Sequence, residues 1–127
     1  MKRIMAAMAC SLVVSTLSAQ EVMTKEKDGT YIVNTTTLAQ DVEGYNGPMP
    51  VEVHIKKGKI VKVVPLKTQD GAKHVAMVKK NMLPAYEGAN VKKGTVPEVD
   101  GVTGATFTSD AIKENVRRGV AYYVKHK

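Results

Sequence analysis

The 127-residue sequence predicts an α+β fold, an antiparallel β-meander packed with two helices. Three observations carry that reading. Residues 51–64 alternate apolar and polar positions around a Lys57-Gly58 turn, the mark of half-buried antiparallel strands. Ile112, Val116, Val120 and Val124, joined by Tyr123, repeat along one stripe of an amphipathic helix. The strands also come as a run rather than in strand–helix alternation, which makes a doubly wound nucleotide-binding sheet a poor match.

The elements follow in order. Residues 1–20 place Lys2 and Arg3 before an apolar run from Ile4 to Leu17, with Ser18 and Ala19 after it, the layout of a secretory signal peptide cut after residue 19. The run is too short for a comfortable membrane span of about 20 apolar residues. Residues 20–41 form a lead-in, with 29–38 rich in β-branched residues and read as a first strand. Gly44-Tyr45-Asn46-Gly47-Pro48 is a turn cluster. In the hairpin, Val51, Val53 and Ile55 share a face opposite His54, and Ile60, Val61, Val63 and Val64 carry the return strand. A helix is expected over 72–83, ended by Pro84, and 85–99 reads as irregular. The last helix is expected to start with Ser109 or Asp110 as N-cap and to run to about Lys125. Residues 42–127 therefore make up the main domain.

Composition narrows the chemistry. The formal net charge is +7, with 19 basic and 12 acidic residues and a single cysteine, Cys10. Loss of the leader removes Lys2, Arg3 and Cys10, leaving about 108 residues, a charge of about +5 and no thiol. A domain of that size is held by its hydrophobic core, without disulfides or thiol chemistry. His54, His74 and His126 are isolated and read as surface histidines, and no His/Asp/Glu cluster has metal-ligand spacing. Lysines at 56–62, 79–80 and 92–93 lack the aromatic interleaving of a nucleic-acid interface, so the basic balance points to acidic protein partners or an anionic surface. Met49, Met77, Met82 and Leu83 read as core fillers.

Residues 100–109 read Asp-Gly-Val-Thr-Gly-Ala-Thr-Phe-Thr-Ser. Gly101, Gly104 and Ala105 leave the backbone open to close approach, hydroxyls follow, and a helix begins nearby, where unpaired N–H groups favour phosphate. A Gly-rich loop with a plain Ser/Thr cap fits the same residues. A Walker A loop does not, because Gly-Lys-Ser/Thr is absent.

That string resembles the flavinylation motif Asp-x-x-(Ser/Thr)-Gly-Ala-Thr of the FMN-binding domain family, a module of bacterial ion-pumping oxidoreductases and of small exported flavoproteins. The likeness extends over roughly 42–124, from the Gly44-Tyr45 turn through the hairpin to the C-terminal helix. It implies FMN joined by a phosphoester to Thr106, with Asp100, Thr103, Gly104 and Ala105 completing the motif. Phe107, Thr108, Ser109 and Tyr45 join them as candidate cofactor contacts. Asp100 is assigned to recognition by the attaching enzyme or to shaping the turn. Tyr45 and Phe107 each have two readings, contact with the flavin or packing on the core. The attaching enzyme implied is an exported, Mg²⁺-dependent FAD:protein FMN transferase.

The resemblance further implies a redox carrier rather than a substrate-converting enzyme. It would be periplasmic or extracellular, not membrane-spanning, and would pass electrons between donor and acceptor proteins of a membrane or extracytoplasmic redox system. Two alternatives stand beside it: a binding module of the same fold without covalent flavin, and a cofactor-free interaction protein.

Overall fold

A computed structural model describes residues 22–127. The expected signal peptide lies outside the described residues. Four strands, β1 (Met23–Lys25), β2 (Tyr31–Asn34), β3 (Val51–Lys56) and β4 (Lys59–Pro65), form one sheet in sequence order with every neighbouring pair antiparallel. Two α-helices follow, α1 (Ala72–Asn81) and α2 (Thr106–His126), with a short 3-10 helix at Leu83–Tyr86. The fold is α+β, as the patterning predicts.

The hairpin turns through Lys57 (φ 55°) and Gly58 (φ 77°), both left-handed, which matches the twist of the flanking strands. In β3, Val51, Val53 and Ile55 are buried while Glu52 and His54 stay half-exposed and lie 3.1 Å apart. In β4 the alternation breaks. His54 pairs with Lys62 but Ile55 pairs with Ile60, so Val61 is the extra residue of a bulge. Ile60 and Val63 are therefore both buried, and Val61, read with them as carrying the return strand, is exposed.

The strand expected over 29–38 is β2, preceded by β1 and shorter than expected. It ends at Asn34, whose side chain accepts from the Thr36 backbone N–H at 2.9 Å and turns the chain away. Thr35 is buried at that corner. Its hydroxyl donates to Asn115 Oδ1 on α2 and accepts from the Val51 N–H at 2.9 Å, while Asn115 donates to the Ala111 carbonyl at 2.8 Å.

Helix α2 crosses β2 and β3 with Ile112, Val116, Val120 and Tyr123 buried, as the stripe predicts, and Val124 half-buried. Gly119 sits on the same face. A Cβ there would lie 3.2 Å from Thr35 and 3.3 Å from Val53, so the missing side chain sets how close the helix lies to the sheet. Met49, Met82 and Leu83 are buried in the core, as expected, and Met77 is half-buried. On the outer side, Arg118 donates to both carboxylate oxygens of Asp41, to the Leu38 carbonyl and to Glu114, fastening the 38–41 segment to α2.

Candidate functional site

The site forms where three separate segments meet, and Asp70 joins them. Its carboxylate accepts the backbone N–H groups of Tyr45 (3.0 Å) and Asn46 (2.6 Å) and the Thr108 hydroxyl (2.6 Å). One buried acid thus ties the 44–47 turn and the approach to α1 to the first turn of α2. Burial works to raise the Asp70 pKa, but the bonds from Thr108, Asn46 and Tyr45, with His74 nearby, outweigh it and hold the carboxyl below its ordinary value. Thr68 sets up the arrangement, donating to the Pro48 carbonyl at 2.8 Å and accepting the Asp70 N–H at 3.2 Å.

The start of α2 differs from the sequence expectation. Ser109 and Asp110 are not the N-cap. The helix begins four or five residues earlier, at Thr106, with Ala105 in the N-cap position and no side-chain cap. The reason lies in the preceding loop. Gly104 adopts φ +92°, open to glycine at little cost, and the Ala105 N–H donates to the Val102 carbonyl at 2.9 Å, so the chain enters the helix early. Ser109 is buried, and its hydroxyl accepts the Val102 N–H at 3.0 Å, bracing the loop from inside. With no side chain capping the helix, its first-turn N–H groups remain available to an anion.

The hydroxyls of the motif separate by burial. Thr108 is 1% exposed and bonded to Asp70, Ser109 is 1% exposed and braces the loop, while Thr106 and Thr103 face solvent. Thr106 borders two cavities. On one side a cavity of about 290 Å³ lies between the rings of Tyr45, His74 and Phe107 and the Gly104–Thr108 backbone. Tyr45 and Phe107 are exposed large hydrophobic side chains, at 61% and 63%. Their ring centroids are 6.2 Å apart, and His74 meets Tyr45 edge-on at 5.6 Å. On the other side a cavity of about 250 Å³ runs from Gly101 and Thr103 to Ser109, Asp110 and Lys113.

Against this geometry, the family model for the FMN-binding domain matches residues 44–121. The chain belongs to the FMN-binding domain family. Comparison with curated proteins and with solved structures finds no match for the chain.

The residues present suit the cofactor of an FMN-binding domain. Exposed aromatic side chains offer apolar faces to a flat ring system, and hydroxyls with free helix N–H groups stand beside them for a phosphate. Of the sequence-selected residues, Tyr45, Gly104, Ala105, Thr106, Phe107 and Thr108 line the aromatic cavity. Thr103 and Ser109 line the other, and Asp100, though exposed, lines neither. Both open readings of Tyr45 and Phe107 resolve away from core packing, since each ring is mostly exposed.

Sequence reasoning missed Asp70, His74 and Lys113. Asp70 reads as an ordinary turn residue in Thr68-Gln69-Asp70-Gly71, and His74 as a lone surface histidine four positions on. Neither carries a local signal, because their partners lie 24 or more residues away in the chain. Among the described residues, no group of three or more His, Cys, Asp or Glu residues is placed to hold a metal ion. No described helix is long and apolar enough to cross a membrane.

Proposed function

We propose that this FMN-binding domain carries FMN covalently on the Thr106 hydroxyl and passes electrons outside the cytoplasm. The observation that supports it best is the sorting of the hydroxyls. Thr106 is exposed at the mouth of both cavities, whereas Thr108 and Ser109 are buried and already engaged. A threonine hydroxyl is a weak nucleophile, so attachment calls for a separate enzyme to activate it. In the transfer from FAD, the Thr106 oxygen bonds to the FMN phosphorus, the pyrophosphate link breaks, AMP departs and the hydroxyl proton passes to the transferase's base. Gly104 and Ala105 present no bulk beside Thr106 that would obstruct that enzyme.

Within the finished protein, the chain's own residues bind and orient. The uncapped first turn of α2 offers N–H groups and positive dipole to the phosphoester. Tyr45 and Phe107 supply apolar faces for the ring, and Asp70 holds the Tyr45 turn against the start of α2. The bound flavin supplies the redox chemistry, and the protein supplies position and environment. A tether suits an exported carrier, because a dissociated cofactor outside the cytoplasm is lost by diffusion. The apolar leader at 1–19 supports export.

The test is co-expression with an FAD:protein FMN transferase, followed by intact mass and in-gel flavin fluorescence. The wild-type chain is expected to gain one FMN residue, and Thr106→Ala to gain none. An adduct that survives Thr106→Ala would sink the assignment, and an adduct lost only in Thr103→Ala would move it to that second exposed hydroxyl.

A further inference from the structure

The aromatic cavity has one polar side chain whose role nothing above explains. His74 lines it, four residues past Asp70 on the first turn of α1. Its Nδ1 is sealed from solvent and has no hydrogen-bond partner, alone in this among the buried side-chain polar atoms of the described residues. The other ring nitrogen, Nε2, is not among these sealed atoms, and the ring lines the cavity. An imidazole left this way is held by packing. Its ring stands edge-on to Tyr45 at 5.6 Å, and Nδ1 lies 3.7 Å from where a Cβ at Gly71 would sit.

The tautomer follows from the burial. A sealed N–H without an acceptor forfeits a hydrogen bond that water would have made, at a cost of about 1–3 kcal/mol. A neutral ring avoids a sealed donor by keeping its proton on Nε2. That leaves an N–H donor on the other ring nitrogen, in a cavity lined by two further aromatic rings. A flat heterocycle with carbonyl oxygens and ring nitrogens along one edge complements such a donor.

We infer that His74 is the polar anchor of the aromatic cavity, donating from Nε2 to the carbonyl-bearing edge of the flavin and favouring its reduced form. The inference rests on the flavin reading above. Reduction places electron density on that edge, and a donor fixed beside it stabilises the electron-rich form more than the oxidised one. His74 thereby raises the midpoint potential, while Tyr45 and Phe107 supply apolar contact without discriminating between the two forms.

The experiment uses full-length protein co-expressed with the transferase: wild type, His74→Phe and His74→Gln. Intact mass and flavin absorbance are read first. A wild type without flavin removes the flavin reading and this inference with it. For loaded proteins, reduction by dithionite is followed against a reference dye at pH 7. Two electrons come from dithionite and the accompanying proton from water. The equilibrium for reduction is expected to fall about tenfold in His74→Phe, about 30 mV for a two-electron couple. His74→Gln keeps an N–H donor and is expected to recover most of the loss.

Equal potentials in all three proteins overturn the inference while leaving the flavin reading intact. In case His74→Phe does not fold or load, the wild-type holoprotein supplies the second measurement. The ¹⁵N resonance of His74 Nε2 is expected to shift between the oxidised and reduced protein, and an unchanged resonance overturns the inference equally.

Discussion

Two residues at the site carry opposite structural duties. Thr106 is exposed and makes no hydrogen bond that the fold depends on, so Thr106→Ala is expected to change unfolding free energy by no more than about 0.5 kcal/mol while abolishing the flavin adduct. Thermal unfolding of the two purified proteins checks the first half and intact mass the second. Asp70 is the reverse. Asp70→Asn keeps one carbonyl acceptor but sets an amide N–H₂ where the carboxylate received Tyr45, Asn46 and Thr108. A loss of about 1–3 kcal/mol is expected from the donors left unpaired. Thermal denaturation reads that loss. A Tm equal to wild type would show that the carboxylate is not the tie it appears from its bonds to be.

At the level of elements, the position of α2 depends on two glycines for different reasons. Gly104 turns the loop into the helix at φ +92°, where an L-residue pays about 1–2 kcal/mol. Gly104→Ala is therefore expected to lower stability by about that amount, read in a urea melt. Gly119 lets the helix lie on the sheet. Alanine would gain up to about 1 kcal/mol of helix propensity there, but its Cβ would press within 3.2 Å of Thr35. Thr35 has little room to give, because its hydroxyl is held by Asn115 and Val51. Overpacking of about 1–3 kcal/mol is expected to win, so Gly119→Ala melts earlier than wild type.

For the molecule as a whole, carboxylates link folding to acid, Glu114 and Asp70 among them. Glu114 is held down to about 2 from an ordinary 4.5, chiefly by its hydrogen bond from Arg117, with Arg118 adding to it against the opposing effect of burial. Asp70 is also lowered, by bonds that outweigh its burial. A carboxyl whose pKa is lower in the folded state binds protons more readily when unfolded. Its stabilisation is therefore complete above the ordinary carboxylate range and is lost as pH falls from about 4.5 toward 2. Acid unfolding is expected to begin in that window, and Glu114→Gln to flatten the fall there. A denaturation midpoint that stays constant between pH 5 and pH 2.5 would exclude this account. Since Glu114 is partly solvent-exposed, added salt is expected to weaken its share.

Much of this molecule is legible from local pattern. The 51–64 hairpin, the α2 stripe and the α+β class follow from periods of two and about 3.6 residues, which report burial on one side of an element without reference to its neighbours. The motif at 100–106 is equally local, and with its surroundings it points to the family that the match at 44–121 shows. Val61 departs from the pattern because a bulge shifts register without changing composition. The start of α2 departs from residue type too, since Ser109 is a good cap residue but its hydroxyl is occupied by the Val102 N–H.

What pattern could not supply is the choice among hydroxyls on structural grounds and the wall of the cavity opposite them. Thr106, Thr108 and Ser109 are chemically similar in the string, and burial alone separates them. Asp70 and His74 become site residues only when the chain brings the 44–47 turn, the start of α1 and the start of α2 together. Periodicity records which face of an element is apolar. It holds no record of which distant groups meet across a loop, because that depends on how the packed elements lie against one another in space.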